Sequence, residues 1–160
     1  SISATKSRTI WNAEMLKHID PLLSAELLFV LKSMGHGDDL LICDRNHPAA
    51  SIAKHTVHGR VVPIFGSDLP TLTKALLHHF PLDTFVEAPI FRMEVVGDPG
   101  KLVPAHISMQ ELSDAVNDAP VKIQALERFA FYEAARKCFA VVQTTDAGPY
   151  GCFILRMGVI

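Results

Sequence analysis

Residues 24–44 read SAELLFVLKSMGHGDDLLICD, and two periods meet inside them. Leu27, Leu28, Leu31 and Met34 recur at the spacing of a helix face opened by Ser24, and Gly35 stands where a left-handed C-terminal cap is wanted. After Gly37, Asp38 and Asp39 the spacing collapses into a continuous apolar run, Leu40-Leu41-Ile42-Cys43, the pattern of a strand covered on both faces that ends at Asp44. A helix feeding a doubly covered strand is the repeating unit of an α/β domain.

Working outward, the same alternation continues. Residues 57–65 carry a second strand interrupted by Pro63, and Asp68 caps a helix through His79 with Leu69, Leu72, Leu76 and Leu77 on its inner side. Residues 84–96 are rich in Phe, Val and Ile and predict a strand, part of which Pro89 demotes to an edge or bulge. The loop GDPGKLVP follows, then a short helix over 108–116 and a stronger one over 127–137, where Phe131, Ala134, Ala135 and Cys138 fall at i, i+3, i+4 and i+7. Residues 139–145 and 152–157 read as strands separated by the turn residues Asp146, Gly148 and Pro149. The expected architecture is a single α/β domain with a mainly parallel sheet flanked by helices.

Composition bounds the function. The chain has 160 residues, 49% of them hydrophobic, enough for one well-filled core. Fifteen basic residues against 17 acidic ones give a net charge of −2, with no excess to neutralise a phosphate backbone, so nucleic acid is excluded as a partner. The longest apolar runs fall far short of the roughly 20 residues that span a bilayer, and no membrane segment is expected. Mean hydropathy of +0.23 is high for so short a chain, so part of its apolar surface is expected to lie against other subunits. Cys43, Cys138 and Cys152 form no C-x-x-C pair and sit in or beside apolar runs, reading as reduced, buried thiols of a cytoplasmic protein. The first residues, SISATKSRTIWNAEM, lack the apolar core of a secretory signal; a short extension over 1–15 is favoured over part of an organellar transit peptide.

Eight histidines invite a metal, yet His55/His58 and His78/His79 lack the i, i+4 pairing with a carboxylate that H-E-x-x-H supplies, and no metal site is expected. Phosphate-cradling glycine motifs and the G-x-S-x-G elbow are also missing from the sequence, so no cofactor is expected. What remains is MGHGD followed, one strand later, by DRNHP. His36, between two glycines just past a helix C-terminus, is accessible and able to donate a proton; the alternative is an ordinary helix cap. Asp44 stands where the strand opens into a loop, the place where open α/β sheets bind ligands; the alternative is an ordinary turn former.

MGHGDDLLICDRNHP (34–48), together with ERFAFYEAARKCFAVVQTTD (127–146) and PYGCFILRMGV (149–159), resembles the fucose mutarotase and ribose pyranase family. The histidine followed by Gly37, and the R-F-A-F-Y-E segment, point to the fucose branch. The similarity begins near Leu16-Lys17, which leaves 1–15 as an extension and 16–160 as the sugar mutarotase domain. The resemblance implies a ribose pyranase-like fold and interconversion of the anomers of a free monosaccharide without metal or cofactor. It further implies homo-oligomeric, decameric rings with the site at subunit boundaries. By position, His36 matches the catalytic acid/base, Asp44 and Arg128 match residues that hold the sugar, and Tyr132 and Tyr150 match tyrosines beside it. The second proton is then relayed by a tyrosine hydroxyl or by water, and Tyr132 and Tyr150 are the candidates because a phenol both donates and accepts. Arg128 and Tyr132, four residues apart, share a helix face and form a sugar clamp; the alternative is that Arg128 snorkels over Phe129 and Phe131.

Two departures stand out. The binding segment Tyr150-Gly151-Cys152 carries a thiol where the family usually has asparagine, and in Asn46-His47-Pro48 the histidine is displaced by one from its usual place. The first departure keeps a second reading open, a non-catalytic monosaccharide-binding or sensor protein on the same scaffold. A structural ring protein is a third.

Overall fold

The structure, a computed structural model, describes residues 16–160, so the extension over 1–15 lies outside the described residues. Helix α1 spans Ala25–Ser33, its first turn capped by the Ser24 side chain, which accepts from the Leu27 amide. Strand β1 is Asp39–Cys43, followed by the short helix α2, Ala49–Ala53. Then come β2 (Val61–Ile64), α3 (Leu69–Leu77), β3 (Ile90–Met93), α4 (Pro104–Ala115), β4 (Ile123–Leu126), α5 (Arg128–Arg136), β5 (Ala140–Thr144) and β6 (Cys152–Arg156).

The six strands form one sheet in the order β2-β5-β1-β6-β3-β4. Pairs β1–β5, β2–β5 and β3–β4 are parallel, whereas β6 runs antiparallel to both β1 and β3. The mainly parallel expectation therefore holds with one internal exception. The loop from β5 to β6 is shorter than the dozen or so residues a parallel crossover needs, so β6 must come back the other way. Asp39 and Arg156 face each other across the β1–β6 pair and form a two-pronged ion pair at 2.9 and 3.0 Å, which pins that register.

β1 is buried along its length, as its unbroken apolar run requires. Leu40 and Ile42 point into a core shared with α1, α3 and α4, and Leu41 and Cys43 into a second core under α2 and α5. Pro63 sits on the edge strand β2, where a missing amide costs no internal ladder bond.

The left-handed cap expected at Gly35 is not there. Met34 ends α1 in an extended conformation, and the positive φ, 88°, belongs to Gly37. The Asp38 carboxylate takes the Gly35 amide at 2.7 Å and so closes the turn one step later. α2 and β4 escape the sequence reading because five residues of AASIA and four of IQAL are too short to display a period. α4 starts at Pro104 rather than Ser108, because a proline that reads as loop suits the first helical position, where the amide has no partner anyway.

Candidate active site

The carboxyl ends of β1 and β3 and the amino end of the antiparallel β6 open into a pocket of about 220 Å³. Asp44, the first residue after β1, is buried, and its carboxylate is fully engaged with main chain. Oδ1 accepts from the amides of Asn46 and His47 at 2.9 and 3.0 Å, and Oδ2 from the amide of Gly151 at 3.0 Å. Burial pushes the Asp44 pKa up against these three bonds. Its amide in turn donates to the Gly151 carbonyl at 2.6 Å, so Asp44 ties the loop after β1 to the turn before β6. Gln143 on β5 braces the same loop, its side-chain amide reaching the carbonyls of Asp44, Arg45 and His47.

Arg128 and Tyr132 come to the opposite wall on one face of α5, as their spacing requires. Arg128 Nε lies 3.4 Å from the Tyr132 hydroxyl, and the guanidinium sits over the rings of Phe129 and Tyr132 at 5.4 and 5.7 Å. Arg128 thus both covers Phe129, as the alternative reading has it, and lines the pocket beside Tyr132. Tyr150 forms the floor with φ 55°, a left-handed conformation costly for a residue with a side chain. It is held there by Gly151 and Asp44 on one side and by its hydroxyl, which accepts from the Val96 amide at 3.0 Å, on the other. Cys152 lines the pocket from the second core; burial drives its thiol pKa far up, so it is a neutral, weak hydrogen-bonding group.

His47 is the residue that the sequence reading passed over as a displaced histidine. It lines the pocket and is 8% exposed, with its ring 5.7 Å from that of Tyr132. Its Nε2 is buried without a hydrogen-bond partner among the described residues, and burial lowers its pKa to about 4, so the ring is neutral at pH 7. Gly151, by contrast, lies behind the pocket: a Cβ there would stand 3.2 Å from Asp44 Oδ2 and 3.3 Å from Leu69, so only glycine lets the turn close on Asp44.

His36 is not in this pocket. It precedes β1 while Asp44 follows it, and five residues of strand at about 3.3 Å each put roughly 15 Å between them. At its own end of the sheet the His36 side chain is 44% exposed, with Nε2 3.1 Å from Asp83 Oδ1 and the ring 5.3 Å from that of Phe85. Burial acts to raise the Asp83 pKa, but bonds from the Phe85 amide and the His36 ring outweigh it and hold the group below its usual value. An ionised carboxylate only accepts, so Nε2 carries the proton in this bond and Nδ1 is the free nitrogen. No sequence motif marked Asp83, which is 47 positions away from His36.

One chain thus holds a histidine–aspartate pair and a polar pocket at opposite ends of β1. Among the described residues no group of three or more His, Cys, Asp or Glu is placed to hold a metal, and no helix is long and apolar enough to cross a membrane. Residues 17–160 match the RbsD / FucU transport protein family. The chain belongs to that family. Within it, the chain is 38% identical over 147 residues to the L-fucose mutarotase of Actinobacillus pleuropneumoniae, covering 91% of this chain and 97% of that protein. To the fucose mutarotase of Danio rerio it is 43% identical over 150 residues, covering 91% and 95%. The crystal structure of the fucose mutarotase of Streptococcus pneumoniae in complex with L-fucose superposes with a TM-score of 0.80 at 33% identity, over 91% of this chain and 99% of that one.

Proposed function

We propose that this chain is an isomerase that interconverts the anomers of a free monosaccharide, L-fucose before others, with residues 16–160 as the mutarotase domain and 1–15 outside it. The observation that carries the mechanism is the division of the site. The His36–Asp83 pair is flanked by Phe85, 72% exposed, and the Arg128–Tyr132 pocket by Phe129, 66% exposed. Exposed aromatic rings beside both half-sites suit a contact between copies. Joined head to tail, the histidine end of one copy faces the pocket of the next, and such a contact closes into a ring. The working form in this reading is a decamer of two such rings in the cytoplasm, a compartment that suits three free, buried cysteines.

Anomer exchange needs only proton movement. His36, carrying a proton on Nδ1 as well as the Nε2–H that Asp83 holds, gives the Nδ1 proton to the ring oxygen; the Tyr132 hydroxyl accepts the proton of the anomeric hydroxyl while passing its own to water; the bond between the anomeric carbon and the ring oxygen breaks. The open aldehyde rotates about its terminal carbon–carbon bond and closes again, returning both protons. Arg128, whose Nε points at the Tyr132 hydroxyl, orients that group for the transfer. Arg128 and Tyr150 hold the hydroxyls, Cys152 contributes a weak donor, and Asp44 and Gly151 shape the floor rather than touch the sugar. No electron is gained or lost, so the chemistry requires no redox group.

Saturation-transfer NMR of L-fucose and D-ribose, with the wild type and His36→Ala, tests the proposal. Exchange accelerated by the wild type and lost in His36→Ala supports it. The thiol of Cys152 favours a second reading, a sugar-binding protein without catalysis; binding of either sugar with no acceleration of exchange would establish that reading instead.

A further inference from the structure

Behind Gly151 lies a second cavity, of about 290 Å³, between α3, α4 and the 146–151 loop. It opens to solvent past the exposed Pro104 and Pro149, and an apolar cavity of ~150 Å³ already takes up a benzene ring. Leu69, Met109, Leu112, Pro149 and Phe153 supply apolar walls. The carboxylate at its rim, Asp146, is spent on main chain: Oδ2 accepts from the Leu69 amide and Oδ1 from the Gly148 amide, both at 2.7 Å. One polar group is left over. Thr73, 1% exposed and part of the lining, has an Oγ1 with no hydrogen-bond partner among the described residues. Threonine inside a helix commonly turns its hydroxyl back to the carbonyl four residues earlier, and this one does not. A buried hydroxyl without a partner is a standing cost that a bound group removes.

We propose that this cavity is a second binding site, for an uncharged small molecule with a compact hydrocarbon body and one hydroxyl group. A sugar does not fit the chemistry, because most of its hydroxyls would meet hydrocarbon. A charged ligand does not fit either, because the one nearby carboxylate is already satisfied. Thr73 Oγ1 has no exposed surface, so its side chain turns about Cα–Cβ to bond the hydroxyl of the guest, and the apolar walls cover its body. The wall shared with the sugar pocket is Gly151, whose amide holds Asp44 Oδ2, so occupancy is felt at Asp44; this coupling alone rests on the sugar reading above.

Calorimetric titration with cyclohexanol tests the site, with cyclohexylammonium as the charged analogue of equal shape. The expected result is saturable binding of cyclohexanol, not displaced by excess L-fucose, and none of the ammonium compound. Ala105→Phe, which fills the cavity from α4, abolishes binding. Thr73→Val weakens it by at least about fivefold, the loss of one hydrogen bond, while raising the thermal midpoint because an unpartnered hydroxyl is gone. The valine variant keeps the test sharp if the phenylalanine variant fails to fold. No heat with the wild type, undiminished binding to Thr73→Val, or displacement by L-fucose would overturn the proposal. An L-fucose affinity that does not change when cyclohexanol saturates the protein would overturn the coupling while leaving the site intact.

Discussion

The two ends of β1 are built on different principles. At the amino end, His36 is half-open to solvent, held by one side-chain bond to Asp83 and one aromatic neighbour. At the carboxyl end, Asp44, His47 and Gly151 are buried, and nearly every polar contact is made to main chain. The first arrangement leaves a ring open to water or a ligand; the second fixes a shape, with walls that main-chain bonds keep from moving.

Substitutions can break this contrast, beginning with the largest effect. His36→Ala is expected to lower the exchange rate by about 10²- to 10⁴-fold with the sugar affinity nearly kept, while Arg128→Met raises the apparent KM. At sub-saturating sugar, co-assembly of the two impaired variants restores part of the activity if each site draws on two copies, and restores none if one chain holds it all. Rates by saturation transfer decide between these.

Stability against pH probes the buried end. His47 and His106 are both held to about 4 by burial, the latter also by the charge of Arg92. Their unfolded value is near 6.5, so the unfolded chain binds protons first as pH falls. The stability they contribute is complete above about pH 6.5 and is lost on the way down to pH 4, on the order of 3 kcal/mol per ring. Asp44, raised by burial, acts with the opposite sign: its share is present at low pH and is lost as pH rises through its folded value. Urea midpoints at pH 7.5, 5.5 and 4.5 should fall in that order, and His47→Phe should flatten the decline. A flat wild-type profile would mean that these rings are not confined as described.

A smaller effect is expected at Asp83, a positioning residue. Asp83→Asn should lower the rate by about tenfold with little change in KM, because the ring loses the bond that orients it. A raised KM with an unchanged rate would leave Asp83 with only a structural role. Smallest is Cys152→Asn, worth about a two- to tenfold gain in L-fucose affinity if the side chain meets a hydroxyl and nothing if only the backbone does.

The sequence was most legible where burial is uniform. The apolar run 40–43 and the face of α5 could be read because each pattern is long enough to carry its period. β4 and α2 were not legible for want of length. Within the site, Arg128 and Tyr132 could be paired from spacing alone, since a helix fixes where i and i+4 point. Asp83 could not be paired with His36, because nothing local records which distant loop folds over a given turn. His47 was visible as a letter, but its confinement arises from Phe131 and Tyr132 on α5, more than 80 positions away. Gly151 was read as a sugar contact, and its amide is spent on Asp44.

The lone antiparallel strand also sets the order in which this chain can fold. β6 is the last of the six strands to leave the ribosome, yet it lies between β1 and β3 and is the only ladder joining β2-β5-β1 to β3-β4. Its partner in β1 lies 117 positions earlier at the Asp39–Arg156 pair. Until β6 arrives, the nascent chain holds two half-sheets with open inner edges, and closing them costs the entropy of a very long loop. Completion of the fold therefore waits for β6 and is slow for a domain of this size, and the interval before it is when the chain is most prone to pair with the wrong neighbour.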